Sequence, residues 1–163
     1  MRKQGQKQRQ KQRVDKPYIK DIDFIFYNES EIRQAIEDER TKAREPLAVK
    51  NASKISDPTA AEAFGNILPP PPVLAVVIKD RKGELRAVKY PERWLIVIDR
   101  TYSWCQRQEG CHYEVARRRY SGEDYRKICS ELHIDKSTLS RIMDDVRIYA
   151  ALQAAQFHLI HVE

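Results

Sequence analysis

The clearest hydrophobic period in the chain lies near its C-terminal end. Residues 121–149 read SGEDYRKICSELHIDKSTLSRIMDDVRIY. Tyr125, Ile128 and Leu132 fall on one side of a helix, with the small Cys129 beside them. His133, Ile134 and Asp135 interrupt the period. Leu139, Ile142 and Val146 resume it at i, i+3 and i+7, and Lys136, Ser137, Ser140, Arg141 and Asp144 take the opposite face. The pattern predicts two helices joined by three residues. Ser121 is expected to cap the first and Asp135 the second. Ile134 plugs the angle between them, and a small residue at 129 lets two crossing backbones approach.

The segment before this pair also patterns as helix. Pro91 opens a run whose apolar face is Trp94, Leu95, Ile98, Tyr102 and Cys105, broken by Gly110. A helix over 111–120 turns Tyr113, Val115 and Ala116 inward and carries Arg117, Arg118 and Arg119 at its C-terminal end. Cations there complement the helix dipole; they could equally contact phosphate. Residues 73–78 are strongly β-prone, Gly83 marks a turn, and 85–90 alternate, so a β-hairpin is expected. A lone hairpin is marginal and must pack on something. Past Tyr149 the helix continues through Leu152, Ala155, Phe157, Leu159 and Ile160. These residues either cover the core or form a dimer seam.

The N-terminal half is patterned more weakly. Order is expected to begin near Tyr18. Ser30 is a candidate N-cap for a helix over 31–44, whose narrow stripe of Ile32, Ala35, Ile36 and Ala43 implies weak packing or a partner. Pro46 is expected to end it. Asp57 and Pro58 open a short helix over 58–64, closed by Gly65, and Pro69–Pro72 form a stiff spacer. Residues 1–16 have no apolar side chain between Met1 and Val14, so a disordered arm is expected. The predicted fold is mainly α. Its parts are the arm at 1–16, an N-terminal helical segment at 17–68, a Pro-rich spacer with a small hairpin at 69–90, and a helix-turn-helix domain with a C-terminal helix at 91–163.

Charge sharpens the picture. The chain is 41% hydrophobic and 33% charged, with a net charge of +6. Residues 1–16 hold seven of the 30 basic side chains and one of the 24 acidic ones, so the remaining 147 residues carry 23 of each. The basic excess belongs to the arm, which suits a polyanion or serves only solubility. No apolar run has the length of a membrane span and none follows the basic N-terminus, so a cytoplasmic protein of a bacterial host is expected. Cys105, Cys111 and Cys129 are an odd count without the paired spacing of a zinc site, and read as small buried thiols. Asp144 and Asp145 are adjacent and diverge on a helix, and no Gly-rich phosphate loop occurs. Neither an enzyme, a metal nor a cofactor is expected.

The helix pair has the requirements of major-groove reading. Its second helix offers Lys136, Ser137, Thr138, Ser140 and Arg141 near its N-terminus, and arginine can pair bidentately with guanine. On the first helix Tyr125, Arg126 and Lys127 can reach phosphates, with Arg117, Arg118 and Arg119 beside them. Residues 121–149 sum to −1, so phosphate affinity must come from the arm or from Arg117–Arg119.

Residues 123–149, with IDKSTLSRI at 134–142, resemble the helix-turn-helix of bacterial and phage regulators. The wider order is an N-terminal helix, SDPTA, the helix from Pro91, RRRYSG and then the motif. It resembles phage late-gene activators of the RinA/ArpU type, whose C-terminal domain is similar to region four of sigma factors. The resemblance covers most of 28–149; the hairpin and the basic arm depart from it. It implies a transcriptional regulator with double-stranded DNA and RNA polymerase as partners, and the apolar C-terminal segment adds a second copy of the chain. The alternative is a small terminase subunit, which also uses a helix-turn-helix but assembles into a ring.

Overall fold

The computed structural model describes residues 17–52, 72–80 and 83–160. The expected arm, the short helix at 58–64 and most of the proline spacer lie outside these residues. The described chain is mainly helical, with one two-stranded antiparallel sheet. The order is α1 (Pro17–Tyr27), α2 (Glu29–Ala52), β1 (Ala75–Lys79), β2 (Leu85–Lys89), α3 (Pro91–Arg107), α4 (His112–Tyr120), α5 (Tyr125–Glu131) and α6 (Lys136–Gln156).

Helix α1 was not anticipated as an element. Its Ile22, Ile25 and Phe26 are buried, and it packs on α6 and α4. Asn28 separates it from α2. The Asn28 carbonyl accepts the first α2 bond, from Ile32 N at 3.0 Å, while its side-chain amide turns back to the Phe24 carbonyl at 2.7 Å. Ser30 therefore does not cap α2: it sits inside the first turn, where its hydroxyl donates to Glu31. Nor does Pro46 end the helix, which runs on to Ala52. A proline forgoes its own bond to the carbonyl four residues back, but the turns on either side keep theirs.

The narrow stripe of α2 finds its partner within the chain. Ile32 and Ile36 are buried, and α2 lies against β1 and α3. Arg33–Asp99 and Arg40–Glu92, both 2.9 Å, tie its polar side to α3. The hairpin forms with Val77 opposite Ala87, in the middle of a five-pair ladder. Val76, Ile78 and Val88 point inward and are buried; Val77 and Leu85 point out. Gly83 takes φ +86°, a left-handed turn position that suits glycine, and the Asp80 carboxylate accepts from Glu84 N at 2.9 Å.

Helix α3 buries Trp94, Val97, Ile98, Thr101, Tyr102 and Cys105, with Leu95 half-buried. Gly110, at φ +92°, turns the chain into α4, whose Val115, Ala116 and Tyr120 are buried while Tyr113 is half-buried. Helix α6 closes the core with Leu139, Ile142, Met143, Val146, Ala150, Ala151 and Ala154. Phe157, Leu159 and Ile160 are half-buried against it. The apolar C-terminal segment thus serves largely as core cover, with Ile148 and Leu152 left exposed. Residues on both sides of the proline spacer share one buried cluster. Among the described residues no helix is long and apolar enough to cross a membrane.

Candidate nucleic-acid interface

The helix-turn-helix forms as expected, though its first cap differs. Gly122, at φ +93°, reverses the chain. Ser121 lies before that reversal and belongs to the end of α4, where its hydroxyl donates to the Arg118 carbonyl at 2.8 Å. Asp124 lies after it and caps α5, accepting from Arg126 N at 2.7 Å. Asp135 caps α6: its carboxylate accepts from Thr138 N at 2.7 Å and from the Ser137 hydroxyl at 2.6 Å. Both carboxylates meet free N–H groups at the positive end of a helix.

Between the helices, His133 adopts φ 53°. It stands where glycine is the usual residue, one position past Leu132, the C-cap of α5. Ile134 N then donates back to the Cys129 carbonyl at 3.1 Å, the bond that closes a left-handed helix terminus. Ile134 is half-buried against the core and Ile128 is fully buried. The turn angle is therefore held by a backbone bond and by an apolar plug.

The anticipated contact residues separate into two groups. Arg141 is exposed and forms no ion pair among the described residues. Lys136 is exposed, with its ammonium 5.2 Å from the centre of the Tyr125 ring. Arg126 is exposed too and donates to the Tyr125 hydroxyl at 3.3 Å. That contact draws the Tyr125 phenol below its ordinary range. Tyr125, Arg126 and Lys136 thus make a cation–aromatic cluster across the starts of α5 and α6, and Arg141 lies one to two turns further along. Ser140 is half-buried.

The second group is engaged by partners within the chain, although Arg117, Lys127 and Ser137 stay exposed. The Arg118 guanidinium forks onto Glu123 with two bonds of 2.6 Å and also reaches Glu131. This fork holds the Glu123 carboxyl far below its ordinary range, at about 2. Lys127 lies 3.2 Å from the same Glu123. Arg119 donates to the Glu123 carbonyl at 2.7 Å and to the Tyr27 hydroxyl at 3.4 Å. Arg117 sits 3.6 Å from Glu29 and over the Tyr102 ring at 5.0 Å. Ser137 and Thr138 are bound to the Asp135 cap. Arg118 and Arg119 brace the α4–α5 corner, and two of the motif's six acids, Glu123 and Glu131, are engaged by Arg118.

Reading the sequence missed the residue that holds α6 in place. Arg147, largely buried, donates to both oxygens of Asp23 at 2.9 and 3.0 Å, and the Tyr120 hydroxyl donates to the same carboxylate at 3.0 Å. No local pattern marks a pair that far apart. Cys105 is buried, which pushes its thiol up to about 11; Cys111 and Cys129 are half-buried and free. No family model matches the chain, and no curated protein or solved structure matches it either.

Proposed function

We propose that the chain is a sequence-specific DNA-binding transcriptional regulator of phage or prophage origin, reading the major groove with the N-terminal half of α6. The observation that carries this reading is the set of cations left without carboxylate partners around that helix end. Arg126 and Lys136 project outward beside Tyr125 and Arg141 projects outward further along α6, whereas Arg118, Arg119 and Lys127 already have partners within the chain. A helix start with short polar side chains, one outward arginine and flanking cations suits base edges and phosphates together. The resemblance to RinA/ArpU-type activators agrees with it and suggests RNA polymerase as a further partner.

The exposed Ile148 and Leu152 favour a second reading, a small terminase subunit that assembles through this apolar strip. The two diverge in mass and in target. Purified protein mixed with fragments of a phage or host genome should retain promoter fragments and run as a monomer or dimer by light scattering. Retention of packaging-site DNA by a ring of eight or so copies would favour packaging. No preference among fragments overturns both.

A further inference from the structure

Helix α3 carries a row of arginines that the DNA reading does not use. Arg93, Arg100 and Arg107 follow each other at seven-residue spacing, so each stands about 10 Å beyond the last and within about 20° of it around the helix. All three are exposed. Among the described residues none of them meets a carboxylate. Arg93 donates to the Phe157 carbonyl at 3.4 Å, and Arg100 donates to Gln153 at 3.2 Å and lies over the Phe157 ring. Elsewhere in the fold Arg33, Arg40, Arg86, Arg117, Arg118 and Arg147 are all in ion pairs. The acids of α3 do not relieve the row: Glu92 and Asp99 turn to Arg40 and Arg33 on α2.

Beside this row runs a groove of about 460 Å³ between α3 and the C-terminal half of α6, lined by Arg100, Ser103, Arg107, Tyr149 and Gln153, with Asp99, its carboxylate held by Arg33, at the edge. Leu152, 57% exposed, follows Tyr149 on α6 by three residues, and the Tyr149 ring stacks on Trp104 at 4.6 Å. The surface therefore pairs a ladder of unneutralised cations with an apolar strip.

We propose that this face docks an acidic amphipathic helix of a partner protein, with carboxylates at heptad spacing on the arginines and apolar side chains against Leu152 and Tyr149. Charge complementarity selects an acidic partner. The period of the ladder selects a helix, since acids seven residues apart along one helix recur at the same interval. Nucleic acid fits less well, because phosphates make no use of the apolar strip. The ladder also lies beside the C-terminal half of α6, away from Lys136: Arg93 stands at Phe157 and Arg100 level with Gln153, the latter about 18 Å along the helix from Arg141. Exposed ion pairs are individually weak, so the apolar strip has to contribute.

The test selects a displayed library of helical peptides, about twenty residues long so that they span the ladder, on the full chain. Counter-selection uses R93Q/R100Q/R107Q, whose surface changes leave the far-UV dichroism and melting of the protein as a check on folding. Enriched peptides should carry Asp or Glu at seven-residue spacing flanked by apolar residues. They should bind the triple variant about ten-fold or more weakly and Leu152→Gln more weakly as well. Enrichment of peptides without acids, or equal binding to the triple variant, overturns the proposal. No acidic peptide enriched, together with loss of random-sequence duplex binding in the triple variant, reassigns the ladder to nucleic-acid backbone.

Discussion

Arg147 and Asp23 lie 124 positions apart in the chain and meet through two hydrogen bonds of 2.9 and 3.0 Å. The pair fastens α6 to α1, so the helix that offers Arg141 outward is braced by a helix near the other end of the sequence. Both side chains are about a quarter exposed. Solvent therefore screens the pair in part, and removing one partner should cost about 1–3 kcal/mol, below the figure for a fully buried pair. Asp23→Ala should cost more than Tyr120→Phe, because it strips both the guanidinium and the phenol of their acceptor. Urea unfolding measures this. A loss for Asp23→Ala within about 0.5 kcal/mol of zero, the range of neutral surface changes, would reduce the pair to a surface contact.

Acid should loosen the α4–α5 corner in a defined window. Glu123 ionises at about 2 in the fold against an ordinary 4.5. Its folded value is depressed, so its contribution is present above about 4.5 and fades as pH falls toward about 2. Stability measured between pH 5 and 2 should fall less steeply in Glu123→Gln than in the wild type. Parallel acid limbs in the two proteins would contradict the Arg118–Glu123 fork.

His133 holds a left-handed conformation that costs an L-residue about 1–2 kcal/mol, part of which glycine returns as extra freedom when unfolded. His133→Gly should therefore raise stability by roughly 0.5–1 kcal/mol, and His133→Val should lower it. Thermal melts of the three proteins give the order. A destabilised glycine variant would show that the imidazole itself makes a needed contact.

Leu139 and Arg141 sit two residues apart on α6 and should fail in different ways. Leu139 is buried, so Leu139→Ala should cost about 2–5 kcal/mol of stability. Arg141→Ala should leave melting almost unchanged. It should cost about 1–3 kcal/mol on a preferred duplex and relax preference at one base pair, with less effect on random DNA. Competition at fixed salt separates these. Equal losses on both duplexes would make Arg141 a phosphate clamp, and no loss on either would take α6 out of the groove.

The C-terminal helices were legible in the sequence because their apolar residues recur at a helical period and their interruptions carry turn chemistry. Leu139, Ile142 and Val146 fell where the period put them, and Asp135 capped as its position implied. The hairpin was legible from alternation and Gly83. Helix α1 carries its signal in Ile22, Ile25 and Phe26, but the run is too short and mixed to set a helical period by itself. Pro46 misled because local propensity lost to a long helix. The sorting of the basic residues was not legible at all. Whether Arg118 meets phosphate or Glu123 depends on a chain reversal at Gly122, and Arg126, eight residues later, shows nothing in sequence to set it apart.

Helix α6 is one unbroken stretch of 21 residues, about 31 Å long. Its first turns carry the outward polar residues, its middle is gripped by Arg147 and the core, and its last turns flank the arginine row of α3. Coupling two sites through a change of shape needs an element with two arrangements, and an uninterrupted helix locked along its length provides none. Occupancy at one end should therefore leave the intrinsic affinity at the other unchanged. The rod acts as a ruler rather than a relay: it fixes how far, and in which direction, a protein seated on α3 stands from whatever Arg141 touches.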